Sequence, residues 1–181
     1  MGNHRMMQSH MTLIFILITI GLGATQSLQV ALLGFMGRLR GPAESSFVSI
    51  LGTLTALSLA LAVHASSDKA VALPALFTNP WITGGIALVA GGILAMATHG
   101  IPALLGLTGF IAAPYLFAAS SISSRLGVGL FLACVITGQL LAAITLDHVG
   151  AFGTTPRPVD FFRVVGVIAL LAGVVLIKGR R

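Results

Sequence analysis

The sequence predicts an all-α integral membrane protein, a bundle of five to six transmembrane helices, on three observations. Only 8% of its 181 residues are charged, 56% are hydrophobic and the mean hydropathy is +1.04. A soluble domain carries about 25% charged residues, so this surface would not stay solvated in water. Several apolar runs approach or exceed the ~18 residues that mark a membrane-spanning helix. Finally, those runs are apolar on every side, whereas barrel strands alternate polar and apolar residues. A helix also satisfies its own backbone in lipid.

The runs divide one transmembrane domain, residues 1–181, into six candidate spans: 11–36, 44–64, 81–98, 101–121, 126–146 and 161–177. The polar start MGNHRMMQSH followed by MTLIFILITIGLGA has the form of a signal peptide. The apolar character nevertheless continues to Met36 without a small-x-small cleavage site, so the first span is expected to stay uncleaved. Arg38, Arg40, Gly41 and Pro42 break the pattern. Glu44 opens the second span, where negative charge suits a helix N-terminus. The linker 65–80 follows, and Trp81 marks the next membrane interface. His99, Gly100 and Pro102 make a tight break, and SISSRLG makes another. The loop from Asp147 to Asp160 holds two prolines and leads to the last span, which ends before KGRR.

Charge does not choose an orientation. With six crossings, Arg5, Lys69, Arg125, Lys178, Arg180 and Arg181 share the N-terminal side, and Arg38, Arg40, Arg157 and Arg163 face the other. If 81–98 fails to cross, Arg5, Lys69, Arg157 and Arg163 share the N-terminal side, six face the other, and the bias reverses. The formal net charge of +6 is spread over short loops and both ends, which excludes a nucleic-acid partner. The single cysteine, Cys134, lies in an apolar run and is expected to be a small buried hydrophobe. There is no HExxH, P-loop, dinucleotide fingerprint or recognisable nucleophile–base pair, so no enzymatic activity, cofactor or metal is expected.

The polar residues inside the runs are the candidates for function. Gln139 stands eight residues before Asp147, about 12 Å deeper and about 80° round the helix. An unpaired buried amide costs roughly 1–3 kcal/mol, so Gln139 needs a partner, either another helix or a substrate. Gln26 and Gln29 are three apart and share a face of the first span. Tyr115, beside Pro114, would line a cavity, or Pro114 simply kinks its helix. Asp147 is either an interfacial carboxylate or a coupling or gating group, with His148 beside it. Adjacent helical residues do not face each other, so DHVG is expected to end the helix, with Gly150 as terminator. Twenty-two glycines, mostly in the spans, fit close helix packing or a helix that must slide.

The stretch GQLLAAITLDHVGAFG, residues 138–153, resembles the signature of the YdcZ-like branch of the drug/metabolite transporter superfamily. Gly-Gln, an apolar spacer, Asp-His, an apolar residue and Gly are followed by Arg163 and a last span with Gly166 and Gly173. SRLG, residues 124–127, Gln29 and ILGTLTAL extend the likeness, which is good over about 101–178 and looser before it. Two features depart from the family pattern. Leu33 stands where an asparagine is expected, and 81–98 looks like an insertion into a family of five spans.

The resemblance implies a half-size transporter of the inner membrane, an exporter whose substrate site lies at the midplane between two inverted halves. One half predicts a homodimer or a related half-size partner, with the lipid bilayer as surroundings and an unidentified small molecule as substrate. Gln26, Gln29, Tyr115 and Gln139 are then expected to bind substrate, and Asp147 and His148 to couple or gate. The competing expectation is a non-transporting membrane subunit that stabilises a partner.

Overall fold

The computed structural model describes residues 2–66 and 74–179. Residues 67–73 of the linker, with Asp68 and Lys69, lie outside that description, as do Met1, Arg180 and Arg181. The described chain is helical: α1 (Gly2–Arg40), α2 (Pro42–Ala65), α3 (Ala75–Thr78), α4 (Pro80–Ala97), α5 (Ala103–Gly106), α6 (Thr108–Leu126), α7 (Val128–Val149) and α8 (Phe161–Lys178), with a 3-10 turn at Ala151–Gly153. Five segments, in α1, α2, α4, α5–α6 and α7, are long and apolar enough to cross a bilayer, and Phe161–Ile177 is a shorter apolar helix. This is the all-α membrane bundle that composition predicts.

The boundaries differ from the hydropathy pattern where backbone geometry takes over. α1 continues past Met36 to Arg40, and Gly41, at φ +87, stops it before Pro42 starts α2. SISSRLG does not break the chain until its last residue. Ser120, Ser121, Ser123 and Ser124 donate back to carbonyls three or four residues earlier, so their hydroxyls are satisfied within the helix. The break shrinks to Gly127, at φ +83. The fourth run opens with the short α5, and α6 begins only at Thr108.

The chain forms two compact units, residues 1–31 with 114–181, and residues 32–113. The boundaries fall inside α1 and, at Pro114, inside α6.

In the 32–113 unit, α2 and α4 pack antiparallel. α4 opens on Asn79, whose Oδ1 accepts from the Trp81 N–H at 2.9 Å, with Pro80 at the first helical position. Its far end leaves carbonyls without helical partners, and Arg40 closes it. The guanidinium donates to the Ala97 carbonyl at 2.6 Å and to the His99 carbonyl at 2.8 Å. Gly52 of α2 meets Gly109 of α6 backbone to backbone; a Cβ on Gly52 would lie 3.0 Å from the Gly109 Cα. Thr53 Oγ1 adds a hydrogen bond to the Gly109 carbonyl at 3.0 Å.

Arg40→Ala is expected to lower stability by roughly 1.5–3 kcal/mol, the range for hydrogen bonds from a charged donor. Arg40→Lys lacks the two-pronged donor and should restore only part of it. Thermal unfolding of both variants in detergent checks this, and an unchanged Arg40→Ala midpoint would refute the capping role.

In the other unit, Ala118, Ile122 and Leu126 of α6 and Phe131 and Val135 of α7 form a buried cluster, with Phe15, Ile16 and Leu22 of α1 packed against it. The Arg125 guanidinium lies over the Phe15 ring, 5.4 Å from its centroid, where α6 gives way to α7. Twelve residues after Phe15, Ser27 meets Gln139, which is twelve residues after Gly127. α1 and α7 therefore run parallel.

Candidate functional site

The crossing of α1 and α7 is built on two glycines. A Cβ on Gly23 would overlap the Val135 carbonyl, and a Cβ on Gly138 would overlap that of Ile20. With no side chains between them, the two backbones touch, as small residues permit in membranes. One turn beyond Gly23, Ser27 is buried, and its Oγ donates to the Gln139 carbonyl at 2.6 Å.

Gln26 and Gln139 adjoin this contact along the chain. Gln26 precedes Ser27 and lies about 60° round the helix from Gly23. Its Nε2 is buried and has no hydrogen-bond partner among the described residues. Gln29 is buried, at 8% exposure, on the side of Gln26 away from Gly23. Gln139 is half-buried on the facing helix, and its side-chain amide makes no hydrogen bond among the described residues. Lipid supplies no hydrogen bonds, so a donor such as Gln26 Nε2 is costly to leave empty there.

Tyr115 does not join this group. Its ring packs on Phe131, 6.2 Å between centroids and tilted by 35°. Phe131 is eight residues before Gln139, about 12 Å along α7. The apolar cluster claims the ring because Pro114 and Tyr115 share the helix that lines it.

Asp147 and His148 form a second centre, in the last turn of α7. Gly150 ends that helix in the left-handed conformation, φ 64 and ψ 38, as the sequence leads one to expect. Pro156 packs against it, so a side chain there would be both strained and crowded. The Asp147 carbonyl accepts from the N–H groups of Gly150, at 3.2 Å, and Arg157, at 2.8 Å. His148 Nδ1 accepts from the Val159 N–H at 3.3 Å, so the Asp147–His148 pair reaches into the loop rather than to each other. Asp160 Oδ1 caps α8 by accepting from the Arg163 N–H at 2.8 Å.

The Asp147 carboxylate stands 3.7 Å from the Arg163 Nη1. That nitrogen is buried and has no hydrogen-bond partner among the described residues, so the contact is an ion pair too long to be a hydrogen bond. The Asp147 side chain remains 45% exposed, which weakens the attraction by solvent screening.

Sequence reasoning passed over Gly23, Ser27 and Arg163 as site residues. The small-xxx-small spacing from Gly23 to Ser27 was a usable signal for the first two. Arg163 is visible as the opening of the last span, but its pairing with Asp147 needs the loop geometry. Among the described residues no group of three His, Cys, Asp or Glu side chains gathers as a metal site would require.

A family model described as "Putative inner membrane exporter, YdcZ" matches residues 14–176. No curated protein and no solved structure matches the chain.

Proposed function

Because the chain belongs to the YdcZ family of inner membrane exporters, we propose that it exports a small molecule by alternating access, as a dimer with a second copy or a related half-size chain. The observation that carries this reading is the buried Nε2 of Gln26, next to Ser27 at the α1–α7 contact, with no hydrogen-bond partner among the described residues. A packing interface in lipid would leave no such donor empty, whereas a binding site keeps donors for its ligand. Inverted-repeat transporters bind at the midplane between two halves, and one chain supplies one half.

The parallel course of α1 and α7 supports a crossing by α4. Three passes, by α2, α4 and α6, return the chain to the direction in which it began. With only two passes, α7 would run antiparallel to α1. The insertion at 81–98 then adds a crossing to the family's five, and α8 brings the chain back to its starting side. In a Cys134→Ala background, Ser66→Cys and His99→Cys should react with a soluble maleimide from opposite faces of sealed vesicles. Labelling of both from one face would rule the crossing out.

We assign Asp147 and Arg163 to gating at the end of the pathway, with His148 holding the loop that joins α7 to α8. Asp147→Asn and Arg163→Gln should each reduce flux, and the exchanged pair Asp147→Arg with Arg163→Asp should recover part of it. Exchange without recovery would assign the two side chains separate roles.

The exporter reading itself is tested at Gln139. Gln139→Cys, in the Cys134→Ala background, should react with a soluble thiol reagent from at least one side. A thiol that never reacts would favour a non-transporting subunit, in which the α1–α7 crossing serves packing alone.

A further inference from the structure

The charged residues of this chain avoid the middle of its helices. Of its four carboxylates, Glu44 lies in the first turn of α2, Asp147 in the last turn of α7 and Asp160 at the cap of α8; Asp68 falls outside the described residues, in the linker. His64 and His148 lie in last turns, His99 follows α4, and His4 and His10 occupy the polar start of α1. Arg38, Arg40, Arg125, Arg163 and Lys178 also sit within a turn of a helix end. α4 contains no charged residue at all.

Gln26 and Gln139 stand well along their own helices from the charged ends. Gln139 is eight residues from Asp147, about 12 Å along the helix, and eleven from the start of α7, about 17 Å. Gln26 is twelve residues, about 18 Å, from Arg38 and sixteen, about 24 Å, from His10. A second copy of the same chain would bring the same distribution. In a site formed by the unit of residues 1–31 and 114–181, no carboxylate, amine or imidazole among the described residues stands at the depth of Gln26 and Gln139.

Amides can exchange hydrogen bonds with a solute, but they neither neutralise a charge nor take up a proton at physiological pH. An ion at mid-membrane without a counter-charge is strongly disfavoured. A neutral solute bearing hydroxyl or carbonyl oxygens is not, because the empty Gln26 donor and the Gln139 amide replace the water it leaves.

Building on the exporter reading above, we propose that the solute is uncharged and rich in hydrogen-bonding oxygens, and that its movement is not coupled to protons at the binding site. Asp147, paired at the membrane edge, acts on access to the pathway and not on its energetics.

The test uses the full-length chain reconstituted in liposomes. Labelled mannitol and N-acetylglucosamine serve as neutral probes, tetramethylammonium as cation and succinate as anion. Pyranine inside the vesicles records pH, and each probe is followed with and without an imposed pH gradient. Saturable flux of a neutral probe, independent of the gradient and without acidification or alkalinisation inside, is expected. Gln26→Leu should lower that flux about tenfold, the equivalent of one hydrogen bond to the solute.

Flux of a charged probe, or a neutral flux that carries protons, would overturn the inference and leave the exporter reading standing. Absence of flux for every probe, together with no shift of the unfolding midpoint by any of them, would count against the exporter reading itself.

Discussion

Gly138→Leu is expected to separate α1 from α7 and to cost more than about 3 kcal/mol, above the usual range for overpacking. The new side chain would have to occupy the position of the Ile20 carbonyl, which is backbone and has no rotamer to move into. Relief requires the helices to part, and parting also breaks the Ser27 hydrogen bond to the Gln139 carbonyl. The single cysteine gives a direct reading. Cys134 is fully buried, one turn before Gly138 on the same helix. Its reaction with a thiol-activated dye during a temperature ramp should shift to markedly lower temperature in the variant. Gly166→Leu is the control, since nothing lies within 4 Å of a Cβ there. It should leave the unfolding of this unit within about 0.5 kcal/mol of the parent. Equal midpoints for Gly138→Leu and the parent would mean that the crossing is not a tight contact.

Gln26→Leu is expected to move stability and transport in opposite directions. The buried Nε2 has no partner among the described residues, and an unsatisfied buried donor costs roughly 1–3 kcal/mol. Leucine removes that donor and puts an apolar side chain in its place. The unfolding midpoint should therefore stay level or rise, by about 1 kcal/mol of stability. Transport should fall about tenfold, because the donor that solute would satisfy is gone. A purely structural role for Gln26 predicts the reverse pairing, with lower stability and a flux lost only in proportion to folded protein. Measuring both on one preparation separates the two. Gln29→Leu makes a useful companion, since Gln29 has a partner in the structure and should lose stability when replaced.

These two positions also show where sequence reasoning reaches its limit. Gln26 and Gln139 are conspicuous because amides are costly in lipid, and that cost is a property of the residue, readable without coordinates. Whether such an amide finds a partner is a question about neighbours over a hundred residues away in the chain. Tyr115 illustrates the same limit. Its place beside Pro114 suggested a cavity, but the ring lies on Phe131, in the apolar cluster, a dozen ångströms along α7 from the amides.

What the sequence determined by itself is the solvent, the secondary structure and the depth of the charges. A mean hydropathy of +1.04 and a charged fraction of 8% require lipid, lipid requires helices, and the charged residues fall where the apolar runs end. Gly150, followed by a proline-containing loop, was enough to end α7 after Asp147 and His148. The tertiary structure decided what local pattern could not encode: that Gly23 and Gly138 bring two backbones into contact, that α1 and α7 run parallel, and that Asp147 faces Arg163 across the loop. Each of these depends on the register between helices that are apolar all round. With no polar face to orient them in lipid, only side-chain shape sets that register, and shape acts between residues remote in sequence.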